Sequence, residues 1–178
     1  MSKRVLCLLV DGFEDIETVT PVDLLRRAGV EVIIASLGEG INTGRCGIRI
    51  QADAVLADVN PESFDLLFIP GGPGVAELRR DGRPASLARE FHAAGKTVAA
   101  ICAAPLVLKD AGLLDGRRFT SHDSVYEELP GVIDERVVVD GNFITSRGAG
   151  TAMDFGLALV EHLAGKSAAD DVARAVMA

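Results

Sequence analysis

Four near-continuous apolar stretches constrain this chain more than any other feature. They are Val5–Val10 (VLCLLV), Val30–Ser36 (VEVIIAS), Phe64–Ile69 (FDLLFI) and Lys96–Ile101 (KTVAAI). A strand with one face in water alternates apolar and polar residues, whereas a solid apolar run marks a strand covered on both faces. Between the first two runs, Glu14, Asp15 and Glu17 open an amphipathic segment that ends at Arg27 and Ala28-Gly29. Acids at the start, arginine at the end and glycine as the stop describe a helix whose dipole is complemented. Residues 75–94 read as helix interrupted near Gly82–Pro84, and 103–113, 151–163 and 168–177 read as further helices. Residues 38–44 read as a glycine-rich turn, and Cys46–Gln51 as a short strand with Ile48 and Ile50 alternating. Residues 117–130 are mixed, with a short strand expected just before His122. Asp140-Gly141, between Arg136–Val139 and Asn142–Thr145, is a strong hairpin signal. Strands alternating with helices predict an α/β domain with a mostly parallel central sheet. With 178 residues, no linker and no internal repeat, a single domain over residues 1–178 is expected.

Composition removes several function classes. Hydrophobic residues at 48% and charged residues at 25% are ordinary for a globular chain and exclude a disordered one. The net charge of -8 repels phosphate backbones, and 4% aromatics with no Trp leaves no base-stacking platform, so nucleic acid is not expected as a partner. Asp11 ends the first apolar run too early for a signal or membrane span, which predicts a cytoplasmic protein without membrane contact. Cys7, Cys46 and Cys102 are widely spaced, with no CxxC, and fit free thiols in a reducing compartment. His92, His122 and His162 form no ligand cluster, so neither a metal nor another cofactor is expected.

In open α/β sheets ligands gather at the carboxyl ends of the strands. Those ends carry Asp11–Glu17, the loop Pro70-Gly71-Gly72-Pro73-Gly74, and Cys102. Cys102 stands between an entering strand and a leaving helix, with Ala100 and Ala104 two positions away on either side. That is the pattern of a nucleophile elbow, in which a crowded turn lifts one side chain above the sheet. A helix N-terminus stabilises a thiolate, so Cys102 is expected to be the most acidic of the three thiols. The glycines after Pro70 let backbone N–H groups approach a ligand, and with the Ala103 N–H they form a candidate oxyanion hole. Any of Glu14, Asp15 and Glu17 serves the helix dipole, and one of them beside the thiol would shuttle protons; spacing does not choose among them. His122, in Thr120-Ser121-His122-Asp123, is either a base for Cys102 oriented by Asp123 or a surface or capping histidine. Gly148-Ala149-Gly150 lacks the third glycine of a dinucleotide fingerprint, and Gly165-Lys166-Ser167 lacks the glycine that would open a Walker loop.

Four motifs occur in order: Glu14–Gly29, Pro70-Gly71-Gly72, Ala99–Pro105 and Thr145–Ala152. Together they resemble the ThiJ/PfpI family, in the branch of the human parkinsonism-associated protein deglycase and its bacterial relatives, over nearly the whole chain. The resemblance implies a flavodoxin-like three-layer α/β sandwich of the class I glutamine amidotransferase-like kind that forms homodimers. It implies that Cys102 is the elbow cysteine, that Glu17 is the carboxyl that hydrogen-bonds it, and that Gly71, Gly72 and Ala103 surround the substrate. His122 matches the family's histidine near the cysteine, and Arg27 matches a position near the dimer contact. The residue after the nucleophile is Ala103, where PfpI-type peptidases carry histidine, which argues against that peptidase arrangement. The implied activity is a cofactor-independent glyoxalase or deglycase acting on methylglyoxal, glyoxal and their adducts with amines and thiols. The alternatives are a redox sensor or stress chaperone with an oxidisable cysteine, and an amidase-like cysteine hydrolase that needs an effective Cys102–His122 pair.

Overall fold

The computed structural model describes residues 2–178. Strands β1 (Arg4–Leu9), β2 (Glu31–Ser36), β5 (Ala54–Val55), β6 (Leu66–Ile69), β7 (Thr97–Ile101), β8 (Val137–Asp140) and β9 (Phe143–Ser146) make one sheet. Its order is β5-β2-β1-β6-β7-β9-β8, parallel throughout except for β8, which runs antiparallel to β9. Helices α1 (Asp15–Arg27), α5 (Ala152–Ala164) and α6 (Lys166–Val176) cover one face, while α2 (Val75–Asp81), α3 (Arg83–Ala93) and α4 (Pro105–Asp110) cover the other. This is the mostly parallel three-layer sandwich that the apolar runs require.

Two separate cores explain why those runs do not alternate. Along β1, Leu6 and Leu8 face one helical layer, while Val5, Cys7 and Leu9 face the other. The same division holds in β6, with Leu67 and Ile69 opposite Leu66 and Phe68, and in β7, with Val98 and Ala100 opposite Ala99 and Ile101. Every one of these side chains is essentially inaccessible to water, so each strand must be apolar at successive positions. Phe68 packs its ring 5.5 Å from that of Phe155 on α5, fixing that helix across the sheet. Gly156 lets α5 cross α1 closely: a Cβ there would lie 3.0 Å from Pro21 Cα.

Several elements depart from the sequence expectation for local physical reasons. The glycine-rich segment 38–44 contains a strand, β3 (Ile41–Thr43), paired antiparallel with β4 (Arg49–Gln51) as a small separate hairpin. β4 starts at Arg49 rather than Cys46, because the N–H groups of Cys46 and Ile48 donate to the Asp15 carboxylate at 2.9 and 3.1 Å. The helix expected to run to Leu113 ends at Asp110, and Gly112 takes a left-handed φ of 71°. No strand precedes His122; the Thr120 N–H donates to Thr145 Oγ1 at 2.9 Å instead of to a ladder carbonyl. The break inside 75–94 falls at Gly82, whose φ is 77°. The hairpin forms as expected, with Asp140 paired to Phe143. No described helix is long and apolar enough to cross a membrane.

Candidate active site

The carboxyl ends of β1, β6, β7 and β9 meet at one rim, and Cys102 stands just beyond the end of β7. Its φ of 66° places it in the left-handed region; among the described non-glycine residues only Met177 also has a positive φ. Such a conformation in a residue with a Cβ costs on the order of 1–3 kcal/mol and persists only where the surroundings hold it. Here the Cys102 N–H donates to Ser146 O at the end of β9, and the Cys102 carbonyl accepts the His122 N–H, both at 2.9 Å. Ala100 and Ala104 are fully buried, which gives the turn the room it needs. The elbow inferred from small residues around Cys102 is therefore present.

Glu17, on the first turn of α1, is 1% exposed and faces the thiol. Its Oε2 accepts the Gly71 N–H at 3.1 Å. A Cβ built on Gly71 would lie 2.5 Å from both Glu17 Oε2 and the Cys102 Cβ, so only glycine fits beside the pair. The Gly71 N–H is thus directed at Glu17, whereas the sequence reading expected it beside the substrate. Gly72 and Ala103 do aim their N–H groups at the Cys102 sulfur. Gly72 needs its glycine for the backbone, with φ 97°, and a Cβ there would strike Glu14 N at 2.5 Å.

Burial raises the Glu17 carboxyl from an ordinary 4.5 to about 7, and the nearby charge of Glu14 adds to the rise. Burial likewise pushes the Cys102 thiol up to about 12, with the charge of Glu17 as the next cause; the Gly72 and Ala103 N–H groups pull it down less. The expected lowering of the Cys102 pKa is therefore not found. Burial and then the neighbouring Glu17 carboxylate set the direction, and the helix that follows has only six residues. Cys7, fully buried among apolar side chains, is pushed further up still, and Cys46 lies exposed. Glu17 ionises near neutrality while the Cys102 thiol stays protonated, so the pair carries at most one negative charge there.

The other acids have different work. Asp15 and Glu14 are more than dipole partners. Asp15 is buried and holds the β3–β4 hairpin through Cys46 and Ile48, while Glu14 faces Arg45 at 3.4 Å. Ligand-type atoms of Glu14, Asp15 and Cys46 lie within 4.8 Å of one another, but both Asp15 oxygens already accept N–H bonds and Glu14 faces a guanidinium. These contacts explain the cluster as the hinge of the hairpin. Through it Arg45 reaches the mouth of a cleft of about 390 Å³ that holds Cys102, Gly72, Ala103, His122 and Arg79. Sequence reasoning missed Arg45 and Arg79, because neither stands in a recognisable motif. Arg79 is tied to Asp110 and Glu128 and braces the cleft wall between α2 and α4. A larger cleft of about 610 Å³ beside α3, lined by Leu56, Leu87 and Arg89 among others, contains neither cysteine nor histidine.

His122 is half exposed at the edge of the cleft, and its backbone supports the elbow. Its Nδ1 accepts the Ser124 N–H at 3.1 Å and lies 3.0 Å from Asp123 Oδ1. Ser124 and Asp123 both meet the ring at Nδ1, which accepts from the Ser124 N–H when it carries no proton and donates to Asp123 when it carries one. Among the described residues no hydrogen bond joins His122 to Cys102. Arg27, on the outer face of α1, pairs with Asp23 at 2.6 Å.

A model of the DJ-1/PfpI family matches residues 3–162. The chain belongs to the DJ-1/PfpI family. It is 40% identical to protein dj-1beta of Drosophila melanogaster over 184 residues, covering 99% of this chain and 98% of that one. It is also 40% identical to a deglycase of Pyrococcus abyssi over 148 residues, 81% of this chain and 89% of the relative. Among solved structures, Drosophila melanogaster DJ-1beta superposes with a TM-score of 0.95 at 39% identity, covering 99% of this chain and 98% of that one. The oxidized form of Toxoplasma gondii DJ-1 superposes with a TM-score of 0.94 at 32% identity, with the same coverage. These likenesses extend the resemblance in the four motifs to the backbone of the whole domain.

The raised Glu17 pKa has a consequence for stability. A carboxyl that binds its proton more tightly in the folded state stabilises the fold fully below pH 4.5, and that contribution is lost as pH rises through about 7. At about 1.4 kcal/mol per pKa unit, the loss is on the order of 3 kcal/mol. Urea unfolding of wild type and Glu17→Gln at pH 5 and pH 8 measures it. The variant is expected to gain stability relative to wild type at the higher pH, and an unchanged difference contradicts the assignment.

Proposed function

We propose that this protein is a cofactor-independent enzyme that converts reactive α-oxoaldehydes such as methylglyoxal and glyoxal to hydroxy acids. On amine and thiol adducts the same chemistry amounts to deglycation. The observation that carries the proposal is the Cys102–Glu17 pair: a sulfur fixed by a strained elbow beside a carboxyl that titrates near neutrality. The deglycase names of relatives at this level of identity support it.

The Glu17 carboxylate takes the Cys102 proton as the sulfur attacks the aldehyde carbon. The C–S bond forms, the carbonyl electrons move to oxygen, and the Gly72 and Ala103 N–H groups stabilise the charge there. Glu17 then protonates that oxygen, giving a hemithioacetal. As a carboxylate again, it removes the proton from the former aldehyde carbon, and the electron pair left behind moves through a new C=C bond onto the ketone oxygen, giving an enediolate. Glu17 returns that proton to the neighbouring carbon while the hydroxyl proton of the first carbon passes to the enediolate oxygen, which yields a 2-hydroxy thioester. The aldehyde carbon has been oxidised and the ketone carbon reduced, so no external electron carrier is needed. Water hydrolyses the thioester and releases lactate or glycolate with the thiol restored.

The sulfur geometry also favours a second reading. Two peroxide molecules would each supply one oxygen to Cys102, and the Gly72 and Ala103 N–H groups would hold the sulfinate formed, with water as the by-product. The oxidized state named for the Toxoplasma gondii relative supports this reading. An amidase of the cysteine–histidine type has less support, because His122 Nδ1 is engaged by Ser124 and its ring makes no hydrogen bond to the thiol.

Methylglyoxal consumption and lactate formation, measured without glutathione, separate the first two readings. Cys102→Ala should abolish lactate formation, and Glu17→Gln should reduce it by a factor of about 10²–10⁴, the usual worth of a general acid/base. Wild-type turnover should rise as pH increases through about 7, where Glu17 ionises. No lactate from the wild type, together with peroxide-driven gain of two oxygens at Cys102, favours the sensor.

We further propose a homodimer. Ile16 and Val19 are about half exposed on the outer face of α1, and Ile48 on the adjoining hairpin is exposed beside them. Apolar side chains of this size grouped at one surface fit a two-fold contact. Light scattering at micromolar concentration should give twice the chain mass. A Val19→Glu variant should run as a monomer, and a monomeric wild type overturns this part.

A further inference from the structure

Gly148 belongs to the Gly148-Ala149-Gly150 segment, which has no nucleotide-binding context, and the proposed mechanism gives it no role. Its position beside the reacting groups is nevertheless unusual. A Cβ built there would lie 3.2 Å from His122 Cδ2, 3.6 Å from Glu17 Oε1 and 3.9 Å from Cys102 Sγ. Three side chains from three separate elements converge on the space that this residue leaves empty.

Backbone geometry does not account for the glycine. Gly148 has φ 160° and ψ -165°, an extended conformation that any residue adopts. Gly72, by contrast, needs its positive φ, and a side chain on Gly71 would strike the Cys102 Cβ and Ile101 O. Among these three glycines of the rim, Gly148 is the one where a methyl group would meet side chains rather than backbone, with the His122 ring closest at 3.2 Å. The cost of a side chain there is therefore room beside the sulfur.

That room leads somewhere. His122 lines both the cleft that contains Cys102 and a second cleft of about 410 Å³, which Gly148 also lines. Asp123, Arg136, Arg147 and Thr151 surround the second cleft. Its guanidinium groups are compensated, Arg136 by Asp154 and Arg147 by Asp134. Such a cleft offers hydrogen-bond donors and acceptors without a strong net charge, and suits a neutral hydroxylated chain better than an anion.

We propose that Gly148 is a specificity-determining residue. By leaving the passage beside the thiol open, it admits α-oxoaldehydes that carry a hydroxylated chain, with the chain lying in the second cleft. This deepens the proposed α-oxoaldehyde reaction and rests on it. Smaller substrates need only the first cleft.

The test compares wild type and Gly148→Ala on two substrates, methylglyoxal and deoxyglucosone. A methyl group in a specificity pocket is worth about tenfold or more, so kcat/KM for deoxyglucosone relative to methylglyoxal should fall by about that factor. An unchanged ratio overturns the proposal. A second measurement does not depend on turnover: alkylation of Cys102 by iodoacetamide and by a bulky N-substituted maleimide, followed by peptide mapping. Exposed Cys46 on the hairpin serves as the internal reference for reagent reactivity. In Gly148→Ala the maleimide rate at Cys102 should fall about tenfold relative to the iodoacetamide rate. Equal slowing of both reagents, or a thermal midpoint well below that of wild type, points to a disturbed fold and counts against a filter. Failure of the wild type to turn over either dicarbonyl overturns the substrate assignment along with the reaction, whereas alkylation still decides whether Gly148 controls access to the sulfur.

Discussion

A buried carboxyl and a buried thiol, Glu17 and Cys102, face one another at the carboxyl end of the sheet. Burial raises the proton affinity of both; the charge of Glu17 raises that of Cys102 further, while the Cys102 hydrogen bond partly offsets the rise at Glu17. Two negative charges in such a space are costly, so the pair carries one. The rest of the rim is arranged around that constraint. Gly71 has no side chain because nothing larger fits between carboxyl and thiol, and its N–H fixes one carboxyl oxygen. Gly72 and Ala103 supply the donors at the sulfur, and β9 and His122 clamp the strained backbone of Cys102. In the proposed mechanism the elevated Glu17 pKa suits a base working at neutral pH, where an ordinary glutamate would be weaker.

The sheet makes this arrangement rigid. β1, β6, β7 and β9 are neighbours in the order of strands, so α1, the Pro70–Gly74 loop, the elbow and the Gly148 turn leave from adjacent edges. Residues far apart in the chain then need only short excursions to meet. The β3–β4 hairpin lies outside the main sheet and hangs on Asp15 and on the Gly12–Thr43 backbone contact at 2.8 Å. It brings Arg45 to the cleft mouth, so a cation reaches the rim from outside the main sheet.

Much of this was legible in the sequence, for identifiable reasons. Apolar residues at successive positions of Val5–Val10 and Phe64–Ile69 have a single economical explanation, a strand covered on both faces, and they led directly to the sandwich. Ala100 and Ala104 around Cys102 carried the elbow, because only small side chains fit that turn. The choice of Glu17 over Glu14 and Asp15 came from the family motif, since all three acids suit a helix start equally well. What stayed hidden depends on contacts between distant segments. Asp15 reads as a helix-end acid until the hairpin N–H groups are seen to converge on it. β3 lies in a glycine-rich stretch whose pairing is set by that same anchor. The direction of the Cys102 shift was misjudged because the burial of the thiol and the nearby Glu17 charge are invisible in a local pattern.

The most direct test of the shared proton is a titration of Glu17 itself. Isotope-edited infrared spectroscopy, with the Glu17 carboxyl identified by its loss in Glu17→Gln, follows the protonated-carboxyl band as pH rises. That band is expected to persist to a midpoint near 7, where burial and Glu14 place it. The Cys102 thiol is expected to remain protonated through the same range, because burial and then the ionised Glu17 oppose its charge. Disappearance of the band near the usual glutamate value of about 4.3 would mean that the carboxyl is an ordinary surface-like acid, and the one-charge pair on which this account rests would not exist.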